Sequence, residues 1–269
     1  MFHGMPDQGK RGGREIHIAC EEGFFGIVQL LMEHNCNIEC EDEWQRRPIH
    51  YASLNGHADV VRLLIDRNCN IECEDNEQMR PIHYASGNGH ADVVRLLIDR
   101  NCNIECENKE QRRPIHYASL NGHADVVRLL IDRNCNIECE DNEQWRPIHY
   151  ASMNGHADVV RLLIDCNCNI ECEDNEQWRP IHYASVNGHA DVVRLLIDRN
   201  CNIECEDNEQ WRPIHWASSN GHAEIIQLLM LNKCQIECKT KFFDAIKRND
   251  PIQFDDLIKS CDFISQNFY

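Results

Sequence analysis

Residues 47–79 read Arg-Pro-Ile-His-Tyr-Ala-Ser-Leu-Asn-Gly-His-Ala-Asp-Val-Val-Arg-Leu-Leu-Ile-Asp-Arg-Asn-Cys-Asn-Ile-Glu-Cys-Glu-Asp-Asn-Glu-Gln-Met, and the stretch that follows says nearly the same again. The heptapeptide Arg-Pro-Ile-His-Tyr-Ala-Ser begins at Arg47, Arg80, Arg113, Arg146 and Arg179. It returns at Arg212 with Trp216 for Tyr, and is foreshadowed at Arg14 as Arg-Glu-Ile-His-Ile-Ala-Cys. Successive starts differ by 33 residues, as from 47 to 80 and from 80 to 113. A fixed period of this length marks a repeat array, in which each unit can bury its apolar face only against its neighbours. The 269 residues are therefore read as one quasi-linear array, although length alone would allow one or two ordinary domains.

Within residues 47–79, Pro48 suits the first turn of a helix because its missing N–H is not needed there, and Ile49, Tyr51 and Ala52 supply a short apolar face. This predicts a helix A ending near Asn55. Gly56 breaks it, and Ala58 to Asp66 reads as an amphipathic helix B with Arg62 between Asp59 and Asp66 on its outer face. Asn68 sits where a left-handed residue commonly closes a helix, and Glu72 to Gln78 is a polar, acidic stretch suited to an exposed turn.

Pro-Ile-His-Tyr-Ala followed by Asn-Gly-His-Ala-Asp-Val-Val-Arg-Leu-Leu-Ile resembles the ankyrin repeat, with its Thr-Pro-Leu-His-x-Ala signature at the same period. The resemblance implies an all-α solenoid with projecting β-hairpin loops, whose concave side is lined by the hairpins and the A helices. It implies seven repeats over 14–240 (14–46, 47–79, 80–112, 113–145, 146–178, 179–211 and 212–240). A flexible segment over 1–13 precedes them, and a C-terminal capping helix pair over 241–269 follows, with Asp250 as N-cap. Phe24 and Phe25 replace His-Ala in the first unit, as the altered end of an array would require. The chain departs from the family pattern at two places. Thr before Pro is Arg in every unit, and the hairpin Gly is Gln78, Gln111, Gln144, Gln177 or Gln210, which leaves the turn geometry open.

Composition excludes several functions. With 27 Lys+Arg against 45 Asp+Glu the net charge is -18, so a polyphosphate is repelled and no nucleic-acid partner is expected. No apolar run approaches the roughly 20 residues of a membrane span, so no membrane insertion is expected. The first residues hold no apolar h-region, which makes a cytoplasmic location, or a nuclear one, the expectation.

Fourteen of the 17 cysteines form Cys-x3-Cys pairs, such as Cys69/Cys73 and Cys201/Cys205, at positions where the ankyrin resemblance places Ala. They are read as small buried fillers. If the segment between them is extended, each pair stands about 13 Å apart, too far to share a zinc ion. Cys166 differs, because it stands where sister units carry Arg67, Arg100, Arg133 or Arg199, and it is read as an accessible thiol. The histidines are just as periodic. His50, His83, His116, His149 and their equivalents occupy the family's His, which the resemblance gives a local hydrogen-bonding role, whereas His57, His90 and their equivalents fall between the helices. Seven interchangeable copies argue against catalysis, which needs one constellation of differing residues. With no phosphate loop, no H-E-x-x-H and no nucleophile elbow, the reading is a non-enzyme with no catalytic residue, cofactor, metal site or small-molecule substrate.

In a near-perfect repeat the informative quantity is internal difference. The residue before the Arg-Pro step is Arg46, Met79, Arg112, Trp145, Trp178 and Trp211 in turn, and the residue before Asn-Gly-His is Leu54, Gly87, Leu120, Met153, Val186 and Ser219. By resemblance these are the hairpin tip and the exposed face of helix A. Arg46, Met79, Arg112, Trp145, Trp178, Trp211, Leu54, Leu120, Met153 and Val186 are therefore the candidate partner-binding residues, the three tryptophans forming an uncovered stripe. Residues 47–79 carry six acids and three Arg, whereas Asn108, Lys109 and Arg112 make 80–112 neutral. The expected partner is a protein or peptide with basic and apolar groups, captured by a scaffold. The rival functions are metal or thiol handling on the Cys ladder, and a mechanical spacer array.

Overall fold

The computed structural model describes residues 8–232, with side chains from Arg14 onward. It divides at the Asn142–Glu143 turn into two compact units. The first contains α1 (Gln8–Glu21), α2 (Phe25–Glu33), α3 (Pro48–Leu54), α4 (Ala58–Asp66), α5 (Pro81–Gly87), α6 (Ala91–Asp99), α7 (Pro114–Leu120) and α8 (Ala124–Ile131). The second contains α9 (Pro147–Met153), α10 (Ala157–Asp165), α11 (Pro180–Val186), α12 (Ala190–Asp198), α13 (Pro213–Ser219) and α14 (Ala223–Leu231). All regular structure among the described residues is helical, and the fold is an all-α repeat solenoid whose projecting loops are closed by turns without an assigned strand. α1 starts at Gln8, upstream of the Arg14 boundary, so residues 8–13 extend the first helix. Residues 233–240 and the expected capping pair over 241–269 lie outside the described residues.

Each A helix is short because Pro fixes its start and an Asn-Gly pair stops it. Arg47 precedes α3 in extended conformation, Pro48 takes the first turn, and the chain leaves the helix at Asn55 before Gly56 at φ +76°. That glycine is required twice over, since a Cβ there would also meet the His90 ring of the next unit at 2.4 Å. His90 in turn donates from Nε2 to the Leu54 carbonyl at 2.9 Å, and His189 does the same to Met153 at 2.9 Å in the second unit. Within each compact unit these inter-helix histidines thus tie a repeat to the end of the preceding A helix. Apolar layers close the stack: Ile49, Leu64, Ile82, Leu97, Ile115 and Leu130 in the first unit, and Ile148, Leu163, Ile181, Leu196 and Ile214 in the second, are all at most 2% exposed.

The other histidine set joins helix to loop. His50 Nδ1 accepts the Arg47 N–H at 2.9 Å, so the proton is on Nε2, which donates to the Cys73 carbonyl at 3.1 Å. His182 repeats the pattern with Arg179 N–H at 3.0 Å and Cys205 O at 3.3 Å. Burial disfavours the charged imidazolium more than the hydrogen bonds to backbone carbonyls favour it, and the His83 and His182 pKa values fall to about 4.

The loop closes on Gln rather than Gly. Gln45, Gln78 and Gln111 in the first unit, and Gln144, Gln177 and Gln210 in the second, all take φ between 57° and 60°. Such a conformation costs a side chain about 1 kcal/mol or more, so something must over-determine it. Asp75 does so: its Oδ1 accepts from the backbone N–H of Glu77 at 2.8 Å and of Met79 at 2.9 Å, while its own N–H donates to Met79 O at 3.0 Å. Successive tips are stitched together as well, Asn76 N–H donating to Trp44 O at 2.9 Å and Lys109 N–H to Glu77 O at 3.1 Å. The segment between paired cysteines is turned rather than extended, because Asn70 Oδ1 accepts the Glu72 N–H at 2.9 Å.

Candidate binding surface

The Arg that replaces the family's Thr does not cap its helix. Its guanidinium reaches back into the preceding acidic stretch instead. Arg80 pairs with Glu72 and with Glu74 at 2.7 Å, and Arg179 pairs with Glu171 and with Glu173 at 2.7 Å. Glu72 also accepts the Asn103 N–H at 2.7 Å, so the carboxylate bridges two successive repeats of the first unit. Much of the acidity of the stretch 72–78 and its equivalents is therefore committed to internal pairs. On helix B, Asp66 is held at 2.9 Å by Arg100 of the next unit and not by its helix neighbour Arg62. Cys166 takes the place of such an Arg and is exposed.

The column before Arg-Pro is not the loop tip. Tips fall at Asn76–Glu77 and their equivalents, and the column turns inward two residues later. Arg46 Nε lies 3.6 Å from the buried Asp75 carboxylate, and Arg112 Nε lies 3.3 Å from that of Asp141. Met79 is only 9% exposed, its sulfur 3.5 Å from Asn108 Nδ2. The residue and the side chain it meets change together here, Arg facing the Asp carboxylate and the Met sulfur accepting from Asn Nδ2.

In the second unit the same column is aromatic, and the expectation of an uncovered tryptophan stripe is corrected. Trp145, Trp178 and Trp211 are half-buried. Trp145 lies between Tyr150 at 5.0 Å and Tyr183 at 4.4 Å, Trp178 between Tyr183 at 4.9 Å and Trp216 at 4.6 Å, and Trp211 lies 4.7 Å from Trp216. The rings form one tilted, interleaved ladder of the kind aromatic quadrupoles favour. The physical reason for the error is that a side chain flanked by an aromatic on either side has a place to pack without any core.

The helix A row is partly exposed. Leu54 and Leu120 in the first unit, and Met153 and Val186 in the second, are half-exposed at the ends of their helices. One further residue belongs to the candidate surface although sequence reasoning passed over it. Trp44 is 52% exposed at the first loop tip, where the other units carry Glu77, Glu110, Glu143, Glu176 and Glu209. The internal comparison already contained that signal, one column away from the column chosen.

Thiol or metal chemistry finds little support in the geometry. Cys73 and Cys106 lie 3.9 Å from the ring nitrogens of His50 and His83, but both histidines are already bonded to backbone. Burial pushes the Cys73, Cys106 and Cys205 thiols up to about 12, where no useful fraction of thiolate exists. No group of three or more His, Cys, Asp or Glu among the described residues is placed to hold a metal ion. None of the described helices is long and apolar enough to cross a membrane.

The family model for ankyrin repeats matches the chain three times, over residues 16–108, 83–174 and 164–241. No curated protein matches it. Among solved structures, the crystal structure of the human ASB11 ankyrin repeat domain superposes with a TM-score of 0.75 at 21% identity, covering 82% of this chain and 98% of that one. At that identity the likeness is one of fold.

Proposed function

The chain belongs to the ankyrin-repeat family, whose repeats are generally scaffolds for protein–protein interaction, and we propose that it is a non-enzymatic scaffold capturing a protein segment that offers basic and apolar groups. The observation that carries this reading is the helix A row. Leu54, Leu120, Met153 and Val186 vary while the framework around them does not, and they remain half-exposed when the column beside them is turned into the structure. The half-buried Arg46 and Arg112 of the first unit and Trp145, Trp178 and Trp211 of the second remain proposed contact residues, whereas Met79, at 9% exposed, does not. The net charge of -18 favours a basic partner by steering as well as by contact. A cytosolic or nuclear place of work belongs to the same proposal.

A bead-displayed library of random dodecapeptides tests the proposal. The full chain should enrich peptides that combine positive charge with apolar side chains. A variant with Leu54→Glu, Leu120→Glu, Met153→Glu and Val186→Glu should lose at least about tenfold of that capture, since a charge would stand where apolar contact is needed. Equal enrichment by the variant, or no charge preference in the wild type, overturns the assignment.

A further inference from the structure

The first unit contains a groove of about 580 Å³ between α1 and the first loop, within the roughly 300–1,000 Å³ typical of small-ligand sites. Ile18, Tyr51 and Trp44 give it apolar walls. Four carboxylates, Glu21, Glu41, Asp42 and Glu43, line it against one guanidinium, Arg14. Glu41 is already paired with Arg47 at 2.9 Å, whereas Glu21 and Glu43 are exposed.

The repeat supplies its own template for what fits there. One unit further on, the Arg46 guanidinium lies 5.3 Å over the Tyr84 ring, with its Nε 3.6 Å from Asp75, and Tyr84 donates its hydroxyl to the same carboxylate. The groove displays the matching parts one period earlier: the Tyr51 ring, with its hydroxyl donating to Asp42 Oδ2 at 2.6 Å. The residue one period before Arg46 is Gly13, which has no side chain; Arg46 itself lies 5.8 Å over the Trp44 ring and interacts with the Tyr51 hydroxyl, so an incoming guanidinium would share these aromatics with it. Accordingly Asp42 is half-buried, whereas Asp75, Asp141, Asp174 and Asp207 are between 3% and 5% exposed. Trp44 stands at the rim, 52% exposed, in the column that is Glu in later units.

We propose that this groove is an arginine-accepting slot, in which a partner's arginine stacks on Tyr51 and Trp44 and bonds to Asp42, as Arg46 does with Tyr84 and Asp75. The inference rests on the scaffold reading above and names the anchor of its partner. Arginine is preferred to lysine because its flat, weakly hydrated guanidinium can stack and bond at once.

The test uses the full chain and a fluorescein-labelled heptapeptide with one central arginine among alanine and leucine, alongside its lysine and citrulline versions. The arginine peptide should bind. The citrulline peptide, isosteric but uncharged, should bind at least about tenfold more weakly, and the lysine peptide should fall between. Asp42→Asn and Trp44→Glu should each cost about tenfold without moving the thermal midpoint, because sister units fold with Asn108 and with Glu77 at these places. Equal binding of the citrulline peptide, indifference to both variants, or no binding at millimolar peptide overturns the slot. Tighter binding after Lys10→Ala and Arg11→Ala would assign the slot to the chain's own basic segment and overturn the partner's claim on it. If the slot fails while the library still yields basic, apolar peptides lost on the helix A variant, only this inference falls.

Discussion

Thermal unfolding of the reduced chain should show a stability plateau between about pH 7 and pH 9 and a collapse on its alkaline side. Cys20, Cys69, Cys73, Cys102, Cys106 and Cys139 of the first unit are each pushed from 9.0 up to about 12, by desolvation first. An acid whose folded pKa is raised stays neutral in the folded chain while its unfolded counterpart ionises, so stability is lost as pH rises through 9. At pH 10 each such thiol gives up roughly 1 kcal/mol, and together they remove several kcal/mol, a large part of the roughly 5–15 kcal/mol that holds a whole domain. On the acid side the sign is set by histidine. His83 and His182 are lowered from 6.5 to about 4 by burial, so the unfolded chain takes up protons first and stability falls as pH drops from 6.5 toward 4. At pH 5 that amounts to about 2 kcal/mol for each ring. Circular dichroism melts from pH 4.5 to 10.5 would reveal the profile, and a midpoint unchanged between pH 8 and pH 10.5 would show that the thiols are not buried.

Replacing Trp178 by Ala should destabilise the second unit by about 2–3 kcal/mol, below the roughly 3–5 kcal/mol of a fully buried Trp because this ring is only half-buried. The loss is larger than area alone would give, since the ring is shared between Tyr183 and Trp216 and both aromatic contacts go together. Trp145→Ala, Trp178→Ala and Trp211→Ala combined should cost at least about 5 kcal/mol and abolish the near-ultraviolet dichroism of the ladder. Trp178→Arg should be far milder. Asp207 there offers the guanidinium the carboxylate that Arg46 finds in Asp75. Equal urea midpoints for Trp178→Ala and the wild type would mean that the ladder carries no load.

These cases mark what could be read from residues alone. Helix limits were legible because Pro48, the Asn55-Gly56 pair and Asn68 each have one conformational use, and they bound α3 and α4 where expected. The local hydrogen-bonding role of the histidine came from the ankyrin resemblance, and the structure gives its two nitrogens two nearby backbone partners. The Gln turn was not legible, since nothing about Gln78 favours positive φ, and the cause lies in the Asp75 side chain three residues earlier. Nor was the direction of the Trp column. A list of differing residues locates a surface that changes, but whether Trp145 faces solvent depends on Tyr150 and on Tyr183, 38 residues downstream. Arg46 and Arg112 escaped for a related reason, their partners Asp75 and Asp141 lying in the next repeat. Trp44 could have been found, being the one aromatic in a column of glutamates.

Photo-crosslinking the tightest library peptide to the full chain tests the central claim most directly. With a benzophenone placed beside the peptide's basic residue, the account predicts adducts on the helix A face, at or next to Leu54, Leu120, Met153 or Val186, and on the Trp44 tip. Adducts confined to the helix B face, around Arg62, Arg95, Arg128, Arg161 and Arg194, would contradict it.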